Sequence, residues 1–88
     1  MEELQVLSLA IKKFGNEAQV QQAVEEMGEL IVALNQYRRG RVPISSVHEE
    51  IADVLIMAEQ LAIIFGYANV KNCRIHKINI LYDRIKSQ

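Results

Sequence analysis

Residues 47–65, VHEEIADVLIMAEQLAIIF, decide the fold that this sequence predicts. Apolar side chains recur in this segment at spacings of three and four, which is typical of an α-helix with one face in a hydrophobic core. The predicted core stripe consists of Val47, Ile51, Val54, Leu55, Ala58, Leu61, Ala62 and Phe65. Other apolar residues lie off this stripe, so the helix is apolar nearly all round and must be buried on more than one side; they are Ile56, Met57, Ile63 and Ile64. The segment therefore predicts two copies of the chain joined through this helix, with an unusually apolar monomer as the alternative.

Glycine and proline separate this helix from three others. The first helix covers about residues 3–14, and Gly15 is expected to end it with a left-handed cap. The second is expected to begin at Asn16 or Glu17 and to run to about residue 39. Its predicted core face consists of Val20, Ala23, Val24, Met27, Ile31 and Leu34.

Three further signals place the remaining helix ends. Ser46 and Glu49 have the spacing of a capping box at the head of the third helix. Gly66 is expected to end that helix, and Asn69 to cap a fourth helix over about residues 70–86. Four helices with short connections predict an all-α domain over residues 1–88, arranged as an antiparallel four-helix bundle.

Composition excludes several classes of protein. With 88 residues and 50% hydrophobic content, the chain fits one ordered domain. No apolar run reaches the ~20 residues of a membrane-spanning helix, and no signal peptide is apparent, so we expect a cytoplasmic protein without membrane partners. A net charge of -1 argues against nucleic acid as a partner.

The charges are unevenly distributed along the chain. Eight of the 11 acidic residues lie between Glu17 and Glu59, and five of the 10 basic residues lie in the last 18 positions. This asymmetry suits a site that holds cations and phosphates together. Two solvated helix faces of opposite sign explain it equally simply, and on charge alone we favour that explanation.

Two short acidic runs carry the candidate chemistry. Glu26 and Glu29 are three residues apart on the second helix, and Glu50 and Asp53 are three apart on the third. Each pair projects from one side of its helix, so antiparallel packing could bring the four carboxylates together at the edge of the shared groove. Clustered carboxylates repel unless a cation neutralises them, and oxygen ligands without His or Cys select Mg²⁺, with Mn²⁺ as a possible substitute.

Other metal and nucleophile motifs are missing from the sequence. His48 and His76 lack the partners of a zinc or di-iron site and are expected at the surface or at helix ends. Cys73 is the single cysteine, so no internal disulfide can form, and it is expected to be half-buried on a helix.

The sequence resembles a known family, the MazG-like all-α nucleoside triphosphate pyrophosphohydrolases. The resemblance rests on Glu-Glu-x-x-Glu at residues 25–29, on Glu-x-x-Asp at residues 50–53, and on a Lys-x-x-x-Leu-x-x-Arg ending at residues 77–84. It covers about residues 13–84. It implies that Glu26, Glu29, Glu50 and Asp53 coordinate Mg²⁺, that the reaction yields a nucleoside monophosphate and pyrophosphate, and that the protein is a homodimer or tetramer.

Further roles follow from the resemblance and from helix geometry. Glu25 and Glu26 are the candidate catalytic acids; Glu25 would serve as a general base or in the outer shell, or is a plain surface residue. Lys77 and Arg84 share one face of the fourth helix, because seven residues make two turns, and are candidates to bind substrate phosphates. Phe14 and Gln19 would face the nucleobase, although Phe14 fits a core position slightly better.

Two alternative functions stay open at this stage. The phosphoribosyl-ATP pyrophosphohydrolases share the acid pattern and the short length. A non-catalytic helical module that senses a nucleotide or binds a partner would keep the same scaffold.

Overall fold

A computed structural model describes residues 1–87, which form four α-helices joined by short turns. Helix α1 spans Glu3–Phe14, α2 spans Asn16–Arg38, α3 spans Ile44–Phe65 and α4 spans Tyr67–Lys86. These residues contain no β-strand, so the predicted all-α class is confirmed.

Two glycines set the direction of the chain between helices. Gly15 separates α1 from α2 with a φ of 91°, and Gly66 separates α3 from α4 with a φ of 125°. L-residues with a side chain rarely adopt such values, whereas glycine has no Cβ to clash with the backbone. The helix ends predicted at both glycines are confirmed, but the left-handed cap expected at Gly15 is wrong, because its ψ of 153° lies outside the left-handed helical region.

The predicted starts of the third and fourth helices are wrong. Helix α3 begins at Ile44, directly after Pro43, and not at the expected Ser46 and Glu49 capping box. Proline suits this position because its fixed φ matches a helix start and its missing N–H has no helical partner there. Helix α4 begins at Tyr67, directly after Gly66, and Asn69 lies within its first turn.

Helices α2 and α3 form an antiparallel pair, which is the most extensive contact in the chain. Near the open end of the pair, Gln19 Nε2 donates a hydrogen bond of 2.6 Å to Gln60 Oε1. Both glutamines are buried. Small residues at Ala23 and Ala33 let the two helices approach closely along the seam between them.

The seam uses a different face of α2 from the predicted one. Five seam residues alternate at spacings of four and three and are buried or half-buried: Gln19, Ala23, Glu26, Leu30 and Ala33. Their counterparts on α3 are Val47, Glu50, Val54, Met57, Leu61 and Ile64. The predicted α2 stripe lies largely outside the seam, since Val24 is 65% exposed and Ile31 61%. The predicted α3 stripe is divided, because Val47, Val54 and Leu61 lie in the seam whereas Leu55 is 65% exposed. Large apolar side chains of both helices are therefore left uncovered by the chain itself.

The helices do not close a bundle within one chain. Helix α1 contacts α2 and α3, whereas α4 contacts α3 alone and has no buried residue. The axis of α4 is bent by 119° from that of α3. The radius of gyration is 15.8 Å, against about 12 Å for a compact domain of this length. Of the predicted four-helix bundle, residues 1–87 contain the antiparallel α2–α3 pair with α1 packed beside it.

No single helix among residues 1–87 has both the length and the apolarity to cross a membrane.

We predict that Gly66→Ala lowers the free energy of unfolding by about 1–3 kcal/mol, because the new Cβ would stand at a positive φ. It would also lie 3.1 Å from Asn69 Nδ2. Gly28→Ala is the matched control, since a Cβ at this α2 position meets no atom within 4 Å. It should raise the same free energy by roughly 0.5–1 kcal/mol. Urea denaturation at one fixed protein concentration measures both changes, and equal effects of the two variants would contradict the prediction.

Candidate metal centre

Three carboxylates from α2 and α3 meet at the middle of the seam. One oxygen each from Glu26, Glu29 and Glu50 lies within 4.8 Å of the other two. Glu26 and Glu50 are themselves seam residues, and Glu29 lies one turn along α2 from Glu26. Two antiparallel helices and a three-residue spacing are therefore enough to bring these groups together.

Asp53 and Glu25 lie outside this group of three. Asp53 is exposed on α3, yet its charge is close enough to raise the pKa of both Glu26 and Glu50. Of the four predicted metal ligands, three are thus brought together and the fourth is their electrostatic neighbour. Glu25 is exposed and lines a groove beside the group.

Partial burial raises the pKa of Glu26 above its ordinary value of 4.5. A hydrogen bond of 2.8 Å from Gln22 Nε2 acts in the opposite direction, and the charges of Glu29 and Asp53 raise the pKa further. Partial burial also raises the pKa of Glu50, and the charges of Asp53 and Glu26 add to that effect. The two seam carboxylates are therefore held in a place that disfavours their charged forms.

Two of the carboxylate oxygens have no hydrogen-bond partner. Oε2 of Glu26 and Oε2 of Glu50 are both buried and unpaired. Buried polar atoms normally find a partner, and a divalent cation is one that satisfies carboxylate oxygens. Oxygens that share one Mg²⁺ lie roughly 2.9–4.2 Å apart, from metal–oxygen distances of about 2.05 Å. The donor atoms are carboxylate oxygens, as a hard cation prefers, and separations of up to 4.8 Å would have to shorten for one ion to contact all three.

An open groove of about 670 Å³ lies beside the carboxylates. Glu29 and Glu50 form part of its wall, together with Gln36, Val42 and Ser46. Its volume falls within the roughly 300–1,000 Å³ of small-molecule sites. Gln36 Oε1 is buried without a partner, so a ligand with an N–H or O–H group could supply the missing donor.

Sequence reasoning did not identify Gln36 as a site residue, and it assigned Ser46 only to a helix cap and not to this groove. Gln36 follows Glu29 by seven residues and therefore lies on nearly the same face of α2. This seven-residue spacing was the signal in the sequence that could have identified Gln36. A single glutamine does not predict a binding site unless the groove beside it is known.

The two candidate nucleobase residues have different surroundings. Gln19 is buried, and its amide is engaged by Gln60 between the helices. Phe14 is 60% exposed at the end of α1, so the favoured interpretation as a core residue is wrong for the single chain.

The basic residues of α4 are not brought to the carboxylates within one chain. Helix α4 contacts neither α1 nor α2, and both Lys77 and Arg84 are exposed. His48 and His76 are exposed as predicted, whereas Cys73 is exposed and not half-buried.

Comparison of the chain with protein-family models, with curated proteins and with solved structures finds no match.

We predict that the metal-free protein gains stability as the pH is lowered from neutral toward 4.5. A raised folded-state pKa means that the folded form binds protons more tightly than the unfolded form, so stability falls as pH rises through that window. Glu50→Gln should raise the melting temperature at neutral pH and flatten this pH dependence. Saturating Mg²⁺ should stabilise the wild-type protein at neutral pH and not the variant.

Glu49→Gln provides the control, because it removes the same charge from an exposed position next to Glu50. Its effect should be smaller, and its response to Mg²⁺ should be retained. Thermal unfolding followed by circular dichroism across a pH series measures all three proteins. A wild-type melting temperature that rises with pH over this range, without metal, would contradict the assignment.

Proposed function

We propose that this chain is a Mg²⁺-dependent nucleotide pyrophosphohydrolase, which cleaves a ribo- or deoxyribonucleoside triphosphate to the monophosphate and pyrophosphate. The observation that carries the proposal is the approach of Glu26, Glu29 and Glu50 within 4.8 Å, beside an open groove. The resemblance of residues 25–29 and 50–53 to the acid motifs of the MazG-like enzymes supports the same reading.

The acids have distinct proposed roles. Glu26, Glu29 and Glu50 would hold the cation, and Asp53 would join them after a rotation of its side chain. The cation, when bound, neutralises phosphate oxygens and lowers the pKa of a coordinated water. Glu25 would accept a proton from the attacking water, because it lines the groove and stands outside the ligand group. Water would add to the α-phosphorus, and the bond to the pyrophosphate oxygen would break.

The groove is the proposed place for the nucleoside. It adjoins Glu29 and Glu50, so a triphosphate bound at the acids would extend its sugar and base along Val32 and Val42. Gln36 Oε1 would then accept a hydrogen bond from the ligand. Gln19, which the resemblance places near the nucleobase, is not among the residues that line this groove.

Two copies of the chain would form the functional unit. Only four apolar residues are buried among those described, namely Ala23, Ala33, Val47 and Met57. A domain of about this size normally buries roughly 60% of the surface that its unfolded chain exposes. The uncovered faces of α2, α3 and α4 are the surface that a second copy would cover.

Turnover of nucleotides by the purified protein tests the reaction. We expect monophosphate and pyrophosphate in equal amounts, dependent on Mg²⁺ or Mn²⁺, from a panel of nucleotides that includes phosphoribosyl-ATP. Glu50→Gln should lower the rate at least a hundredfold, about 2.7 kcal/mol of transition-state stabilisation, because it removes a metal ligand. Glu17→Gln, on the same helix as Glu26 but outside the group, should retain the wild-type rate.

The outcomes separate the candidate functions. Release of orthophosphate alone, or turnover without metal, would refute the proposed reaction. A preference for phosphoribosyl-ATP would select that alternative substrate. Nucleotide binding by calorimetry without any turnover would identify a non-catalytic module.

We predict that the wild-type protein has at least twice the mass of its 10.0 kDa chain at micromolar concentration. Ile31→Glu should weaken association, because it puts a charge on the uncovered face of α2 while leaving the seam intact. Light scattering measures the mass, and circular dichroism checks that the variant stays helical. A wild-type monomer would contradict the prediction.

A further inference from the structure

We infer that Gln22 is a positioning residue of the proposed metal centre: its side-chain amide holds one oxygen of Glu26 and leaves the other oxygen free to ligate the cation. The inference rests on the proposed function, which supplies the metal, and it adds a residue outside the acid group on which the affinity for that metal depends. A hydrogen bond, the unequal state of the two Glu26 oxygens and the geometry of α2 lead to it.

The hydrogen bond runs from Gln22 Nε2 to Glu26 Oε1 and is 2.8 Å long. Among residues 1–87, no other amide, hydroxyl or cationic side chain donates a hydrogen bond to Glu26, Glu29 or Glu50, and none of the three carboxylates forms an ion pair. Gln22 is therefore the residue that restrains the orientation of a carboxylate in this group.

The two oxygens of Glu26 differ in what they contact. Oε1 accepts the amide hydrogen bond, whereas Oε2 is buried without a partner. A carboxylate has acceptor sites on both oxygens, and a buried oxygen left without a partner is unfavourable. A cation bound at Oε2 would supply the missing partner while Gln22 stays on Oε1.

Helix geometry places Gln22 beside the acids and outside the seam. It precedes Glu26 by four residues and Glu29 by seven, so it lies within about 40° of both around the axis of α2. Gln22 is exposed, whereas its neighbour Ala23 is buried against α3. A substitution at Gln22 can therefore remove the hydrogen bond without altering the packing of the two helices.

Orienting a ligand in advance strengthens metal binding. A free glutamate side chain loses rotamer freedom when it is fixed on a cation, and a side chain that is already held loses less. Removing a hydrogen-bond partner of a metal ligand typically lowers metal affinity by about 10–100-fold. The simpler explanation is a surface pair four residues apart that supports the helix alone, and this explanation predicts no change in metal affinity.

Titration of the metal-free protein with Mn²⁺, followed by electron paramagnetic resonance, tests the inference. Gln22→Met keeps a side chain of similar length and removes the N–H donor. We expect it to raise the dissociation constant for Mn²⁺ at least tenfold. Gln21→Met is the matched control, because Gln21 is the adjacent exposed glutamine and makes no side-chain hydrogen bond among the described residues. It should stay within twofold of the wild-type value, and circular dichroism without metal checks that both variants keep the fold.

Kinetics provide a second measurement that separates positioning from loss of a ligand. For Gln22→Met, the Mg²⁺ concentration that gives half of the maximal rate should rise at least tenfold. The rate at saturating Mg²⁺ should stay within about threefold of the wild type, because all the acids are still present. A purely structural role would leave the Mg²⁺ requirement unchanged.

The outcomes distinguish failure of this inference from failure of the proposed reaction. Unchanged Mn²⁺ affinity in Gln22→Met, or equal losses in Gln22→Met and Gln21→Met, would overturn the inference and leave the reaction standing. Weakened Mn²⁺ binding in Gln22→Met alone, in a protein that cleaves no nucleotide, would support the inference and refute the reaction. A wild-type protein that binds no Mn²⁺ would overturn both.

Discussion

The crowding of carboxylates between α2 and α3 is the constraint on which the rest of the structure depends. Glu26 and Glu50 occupy seam positions that would be apolar in an ordinary helix pair, and each has an unpaired buried oxygen. Their raised pKa values reflect partial burial first and the charges of neighbouring carboxylates second, so the ionised forms of both groups are disfavoured in the seam. Ala23 and Ala33 on one helix, with Val47 and Met57 on the other, pack on either side and offset part of that cost.

The placement of polar groups in the seam explains where the apolar residues go. A helix as apolar as α3 can direct only one side at α2, and that side also carries Glu50 and Gln60. The remaining apolar side chains, such as Leu55 and Phe65, point away from the pair and stay largely exposed. The sides that α2 and α3 turn toward each other thus account for both the polar seam and the uncovered apolar faces. Both features favour association with a second chain.

Sequence reasoning succeeded where one residue or one spacing decides the outcome. Gly15 and Gly66 end helices because the backbone there needs a positive φ, and Glu26, Glu29 and Glu50 converge because three-residue spacings put them on facing sides. It failed on the α2 face, because periodicity identifies the most apolar stripe and not the partner that covers it. It also misplaced the start of α3, where the backbone restriction of Pro43 outweighs the side-chain pattern of the nearby capping box.

The buried Gln19–Gln60 hydrogen bond accounts for the register that creates the site. In an antiparallel pair, equal steps inward from two facing residues reach residues at the same level, because both helices rise by about 1.5 Å per residue. Seven residues inward from the glutamines stand Glu26 and Asp53, and three residues farther stand Glu29 and Glu50. A slip of one turn would leave both buried amides unpaired, which costs about 1–3 kcal/mol for each buried group. A seam held by apolar contacts alone tolerates such slips more readily than one with a buried hydrogen bond. The Gln19–Gln60 pair, although about two helical turns from the nearest of these carboxylates, therefore helps to specify which carboxylates meet.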